Sequence, residues 1–153
     1  MCATRIVWGL SVSFAFLLSG CPMPTLIHPA AHEMTDQQVA ILNDRWGCGF
    51  CVVGIWSDKG QRLVYHVGRD GMAESFKLPP GTYIVEYTDM PYKIARVWRK
   101  DSVNLKAGHI YKAQRLTCYN FPSYPACQGR GYTATLWIED ETTGDIIAGE
   151  KWP

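Results

Sequence analysis

Residues 78–88 read Leu78-Pro79-Pro80-Gly81-Thr82-Tyr83-Ile84-Val85-Glu86-Tyr87-Thr88, a turn signal followed by a strict alternation. Prolines cannot donate to a ladder and glycine admits the backbone angles of a reversal, so one strand stops before Pro79 and another starts after Gly81. From Thr82 onward, β-branched and aromatic residues favour an extended chain. Successive strand residues point to opposite faces, which puts Tyr83, Val85 and Tyr87 on one side and Thr82, Ile84 and Glu86 on the other.

The same grammar continues in both directions. Residues 50–56 and 62–67 are β-prone runs joined through Ser57-Asp58-Lys59-Gly60, where Gly60 suits a hairpin turn. Residues 75–78 lead into 82–88, and residues 96–105 into 110–118 across Lys106-Ala107-Gly108. Residues 132–139 and 145–149 close the series around Glu141-Thr142-Thr143-Gly144. Short strands at this spacing suit a sandwich or a barrel, and the expected fold is mainly β, a small antiparallel β-sandwich of about seven to eight strands. One short N-terminal helix is expected over residues 36–44, because Thr35 and Gln38 form a capping-box pattern ahead of Val39, Ile41 and Leu42.

A weak internal repeat links Leu78-Pro-Pro-Gly81-Thr-Tyr83 to Leu105-Lys-Ala-Gly108-His-Ile-Tyr111. Each has a leucine ending one strand, a turn glycine, and a tyrosine starting the return with its ring buried and its hydroxyl at the rim. This type of hairpin resembles those of transthyretin-like and carboxypeptidase-regulatory-like β-sandwich modules, over about residues 48–116. The resemblance implies a fold class and leaves function open.

The N-terminus carries an address. Arg5 precedes an apolar run over residues 6–18, broken only by Gly9, Ser11 and Ser13, and this is the length of a signal-peptide core. A spanning helix needs about 20 apolar residues, and Gly20, Cys21, Pro22 and Pro24 interrupt at once. Leu18-Ser19-Gly20-Cys21 resembles the lipobox of bacterial lipoproteins. The resemblance implies cleavage after Gly20, a thioether-linked diacylglycerol on Cys21 and acylation of the new amine, so the bilayer is the first partner. Pro22 stands where that family's inner-membrane retention signal is Asp, which favours the outer membrane of the envelope. An ordinary secretory signal with a coincidental cysteine is the alternative. The expected organisation is a signal peptide over residues 1–20, a proline-rich extended tether over 21–34 and a β-sandwich domain over 35–153.

Charge narrows the partners. With Arg5 removed, the 15 basic residues fall to 14 against 14 acidic ones. A nucleic-acid footprint needs clustered cations, and Arg96, Arg99 and Lys100 are interleaved with Val97 and Trp98 as in a half-solvated strand. No nucleic-acid partner is expected, and an envelope protein or a glycan suits the chain better.

Apart from the lipid site, the mature chain holds Cys48, Cys51, Cys118 and Cys127. An even count in an exported domain predicts disulfides, with three possible connectivities. The proline-rich loop between Cys118 and Cys127 favours closing that pair, which leaves Cys48 with Cys51. The competing reading takes Trp46-Gly-Cys48-Gly-Phe-Cys51 as a redox site. It resembles the thioredoxin motif in part, but the following Val52-Val53-Gly54-Ile55-Trp56 is strand-like and lacks the helix that would stabilise a thiolate. Zinc on four cysteines lacks the close second pair of a ribbon.

Catalytic and metal constellations are sparse. His28, His32 and Glu33 lie in the tether, where no helix would align them as ligands, so no metal is expected and no cofactor beyond the covalent lipid. His66 and His109 have no partner legible in the sequence. No Gly-x-Ser-x-Gly elbow occurs, and Glu139, Asp140 and Glu141 suit a solvated strand end. The chain therefore reads as non-catalytic: a membrane-anchored envelope lipoprotein acting in binding or assembly. Periplasmic thiol exchange through Cys48 and Cys51, or a purely structural surface role, are the alternatives. Aromatics offer the lead to a binding surface, with Tyr119, Phe121 and Tyr124 in the Cys118–Cys127 loop as the candidate residues.

Overall fold

A computed structural model describes residues 25–44, 52–65, 75–89, 98–118, 125–128 and 134–152. Among the described residues the strands are β1 (Thr25–Ile27), β2 (Ala40–Asn43), β3 (Val52–Ser57), β4 (Arg62–Tyr65), β5 (Ser75–Leu78), β6 (Gly81–Thr88), β7 (Trp98–Leu105), β8 (Ile110–Thr117), β9 (Ala134–Asp140) and β10 (Ile146–Gly149). They form a six-stranded sheet in the order β1-β5-β2-β8-β9-β10 and a four-stranded sheet in the order β4-β3-β6-β7. The two pack as a sandwich, as the alternation predicts.

The core is the meeting of the two inner faces. Leu42, Phe76, Leu78, Tyr111, Leu136 and Ile138 of the larger sheet meet Val52, Ile55, Tyr83, Val85, Tyr87, Val103 and Leu105 of the smaller. Tyr83, Val85 and Tyr87 point inward, as their spacing requires. Burying each large apolar side chain contributes about 1.5–3 kcal/mol, which makes this shared layer the main source of stability.

Two expectations need correction. The helix over residues 36–44 is absent: residues 35–39 make a turn and Ala40–Asn43 is strand β2. The capping signal is nevertheless real, since Gln38 Oε1 accepts the Thr35 amide at 2.9 Å and the Thr35 carbonyl accepts from Gln38 and Val39. One turn forms and goes no further, because β2 lies between β5 and β8 and completes both ladders. A helix there would strand the backbone groups of two neighbours in the interior.

The second correction concerns the repeat. Leu78-Pro-Pro-Gly81 and Leu105-Lys-Ala-Gly108 do not close hairpins. Strand β5 belongs to the larger sheet and β6 to the smaller, while β7 belongs to the smaller and β8 to the larger, so each turn carries the chain across the sandwich. Both corners use one device. The Tyr83 hydroxyl donates to the Pro79 carbonyl at 2.7 Å, and the Tyr111 hydroxyl accepts the Lys106 amide at 2.8 Å. In each case a buried tyrosine of the new strand holds the residue that follows the buried leucine of the old one. Gly81 pairs with Leu105, so the corners lie side by side at one end of the molecule.

Residues of the expected tether also join the fold. Strand β1 pairs parallel with β5, His28 donates its amide to Lys77 at 2.9 Å, and a 3-10 turn at Pro29–Ala31 buries Ala31. The first described element therefore begins at Thr25.

Candidate functional site

Strand directions give the sandwich two unlike ends. One is the corner end, which holds the β3–β4 turn, both crossings, the β9–β10 turn and residues 35–39. At the other, the loop end, stand Thr25, Asp44, Val52, Tyr65, Ser75, Asp89, Trp98, Cys118 and Ala134. The connections over 45–51, 66–74, 90–97 and 119–133 all leave and return there.

The residues singled out in the sequence distribute unevenly. Cys21, Cys48, Cys51, Tyr119, Phe121 and Tyr124 lie outside the described residues, as does His66. Cys118 and Cys127 are joined by a disulfide, with Cα atoms 5.1 Å apart and both side chains buried. That bridge closes the proline-rich loop at the end of β8.

Aromatic side chains that the sequence reading did not single out as a surface form the best-defined exposed constellation. On the outer face of the four-stranded sheet, Trp56 lies flat along its own strand. A Cβ built on Gly54 would fall 2.4 Å from the far edge of the indole, so only glycine leaves room for the ring. Register brings Gly54 beside Glu86 and Glu86 beside Lys100, while Trp56 lies beside Ile84. Lys100 Nζ sits 4.5 Å from a Trp56 ring centroid and the Arg62 guanidinium carbon 5.6 Å, one cation from adjacent β4 and one reaching across β6 from β7. Toward the loop end, Trp98 donates its indole N–H to Glu86 Oε1 at 2.5 Å, yet 56% of the residue remains exposed. A tryptophan held by its polar edge while its surface stays wet is suited to contact. The sequence did contain the signal. Trp98, Lys100, Ser102 and Asn104 share one face of β7, opposite buried Val103 and Leu105, and the glycine stands two residues before Trp56.

The remaining polar clusters act inside the fold. At the corner end, His109 Nδ1 and Asp140 Oδ2 are 2.7 Å apart, and Asp140 Oδ1 accepts the Thr142 amide at 3.0 Å. Burial works to raise the Asp140 pKa, but the bonds from His109 and Thr142 outweigh it and hold the carboxyl below its ordinary value. This carboxylate joins the β7–β8 corner to the β9–β10 turn. Nearby, His28, Ser57, Asp58, Gln61, Leu63, Gly81, Thr82 and Tyr83 line an open cleft of about 340 Å³. His28 Nδ1 there accepts the Ala30 amide, and Ser57 Oγ accepts the Gln61 amide.

Between the sheets, the Tyr87 hydroxyl donates to Asp101 at 2.5 Å and Arg99 Nε donates to the same oxygen at 3.0 Å. Burial and the Asp101 carboxylate push the Tyr87 pKa well up. Burial opposes ionisation of Asp101, yet the Arg99 and Tyr87 bonds favour the carboxylate and hold its pKa below the ordinary value. Near the loop end Asp44 is fully buried, and both of its oxygens lie within 3.3 Å of the Val52 amide. Among the described residues no three His, Cys, Asp or Glu side chains converge as a metal site.

Neither family models, nor characterised proteins, nor solved structures give a match to this chain.

Proposed function

We propose that the chain is an envelope lipoprotein acylated at Cys21, whose domain is a non-catalytic binding module for an acidic glycan. The observation that carries the binding half is the outer face of the four-stranded sheet, with Trp56 laid over Gly54 between Lys100 and Arg62, and Trp98 exposed beside them. Aromatic faces supply stacking area for the apolar side of a sugar ring, and paired cations supply charge complementarity to its carboxylates. The lipobox-like Leu18-Ser19-Gly20-Cys21 supports the anchored half. Two acyl signals already give stable membrane attachment, and the three implied here exceed that.

Co-sedimentation of the purified domain with peptidoglycan, a glycan that carries peptide carboxylates, tests the binding half. Trp98→Ala combined with Lys100→Glu should weaken binding at least about tenfold, equivalent to about 1.4 kcal/mol. Wild-type binding by a double variant of unchanged melting temperature would reject this surface. A mass spectrum of the mature membrane protein tests the anchored half, which an unlipidated Cys21 would reject.

A further inference from the structure

We infer that the loop end of the sandwich rests directly on the lipid surface and that the corner end points away from it. The inference rests on the lipoprotein reading and adds the geometry of attachment. Strand β1 begins at Thr25, at the loop end, because Thr25 pairs with Ser75 and Ser75 with Asn43. Only Pro22, Met23 and Pro24 separate Thr25 from Cys21. Four residue steps reach at most about 14 Å when fully extended.

The corner end lies much farther along. Strand β6 runs its eight residues from the corner end to the loop end, a length of about 26 Å at 3.3 Å per residue. The headgroup layer adds only about 6 Å on each side of the hydrocarbon core. An anchor of that reach holds the loop end at the headgroups and leaves the corners, with the His28-lined cleft, facing away from the bilayer. Residues 25–31 are committed to the sheet by their pairing with β5, so they cannot serve as slack. The outer face carrying Trp56 and Trp98 then stands upright, beside the membrane and open to a polymer lying parallel to it.

The test uses the full, lipidated chain in phospholipid vesicles. Gln128→Lys places an amine at the loop end, on an exposed residue next to bridged Cys127, while native Lys59 and Lys106 report from exposed turns at the corner end. A membrane-impermeant amine reagent is applied and each site is read by mass spectrometry, together with the mass on Cys21. Labelling at position 128 is expected to be several-fold slower than at Lys59 and Lys106. Inserting about 24 Gly and Ser residues after Cys21, with a root-mean-square span of about 27 Å, should remove the difference. Equal labelling with the native linker, slower labelling of the corner lysines, or protection that survives the insertion overturns the inference while Cys21 carries its lipid. An unmodified Cys21 overturns the lipoprotein reading as well, so the two failures are distinguishable.

Discussion

The corner end and the loop end solve the problem of chain reversal differently. At the corners, reversal is local: Gly108 has φ 73°, the Tyr83 hydroxyl reaches back four residues to the Pro79 carbonyl, and the Tyr111 hydroxyl reaches back five to the Lys106 amide. Each crossing is held by one tyrosine hydroxyl. At the loop end, by contrast, buried Asp44, Thr88, Asp89, Thr117 and Thr135 gather where the strands finish. The Thr135 hydroxyl donates to the Glu150 carbonyl and Arg115 to the Asp89 carbonyl, which ties chain ends together over long sequence separations. Short turns can carry their own instructions, whereas long connections depend on polar groups that the fold must assemble.

The sharpest way to break the contrast is at two glycines of similar backbone angle. Gly149, toward the loop end, has φ 77°, and a Cβ there would fall 2.1 Å from the Leu136 carbonyl oxygen and 2.9 Å from the Tyr87 hydroxyl. Gly149→Ala should cost on the order of 4 kcal/mol, read as a large fall in melting temperature. Gly60, in the β3–β4 turn, has φ 79° and open space around it. Gly60→Ala should therefore cost only about 1 kcal/mol of backbone strain. Equal losses would show that backbone angle, and not packing, governs both ends.

Reducing Cys118–Cys127 acts on the loop end alone. Closing a loop of this length contributes about 3 kcal/mol in the chain-entropy model, so the double Cys→Ser variant should unfold at clearly lower denaturant. Its corner-end amides should keep their relative order of hydrogen-exchange protection.

Acid weakens both halves by the same sign. Asp101 and Asp140 are held below the ordinary value near 3.8, so their contribution is fully present above about pH 4 and is lost as pH falls through the lower folded-state values. Asp101→Asn and Asp140→Asn should each flatten the stability profile below pH 4. Alkali acts through the tyrosines. Burial raises Tyr83, Tyr87 and Tyr111 above their ordinary value of 10.0, so that contribution is present below pH 10 and lost as pH rises beyond it. A profile flat from pH 9 to 12 would contradict this.

The smallest expected effects are at the corner tyrosines. Tyr83→Phe and Tyr111→Phe each remove one hydrogen bond and keep the ring, a loss of about 1 kcal/mol apiece by denaturant titration. Matching values would support their reading as one device used twice.

Much of the architecture was legible because the signals were local. The alternation over residues 82–88 put Tyr83, Val85 and Tyr87 on one face, which the structure buries, and the strand expected at residues 75–78 is β5. The repeat was legible as a pattern but not as a topology, since proline and glycine stop a strand without saying which sheet the next one joins. Strand β2 was misread because Thr35 and Gln38 do form a turn, and only the neighbours β5 and β8 decide that the chain then extends. The Trp56 and Trp98 surface was missed for a related reason. Tryptophan in a small domain is normally core, and placing two on one open face requires β3, β6 and β7 in register.

By itself the sequence determined strand periodicity, turn positions, the Cys118–Cys127 pairing preference and the signal-like N-terminus, because these depend on residues adjacent along the chain. Tertiary structure alone decided sheet membership, the identity of residues 40–43, the burial of Asp44 and the end at which the chain enters. Those outcomes depend on backbone groups finding partners far away in sequence, and an unpaired group in the interior is too costly for local preference to prevail.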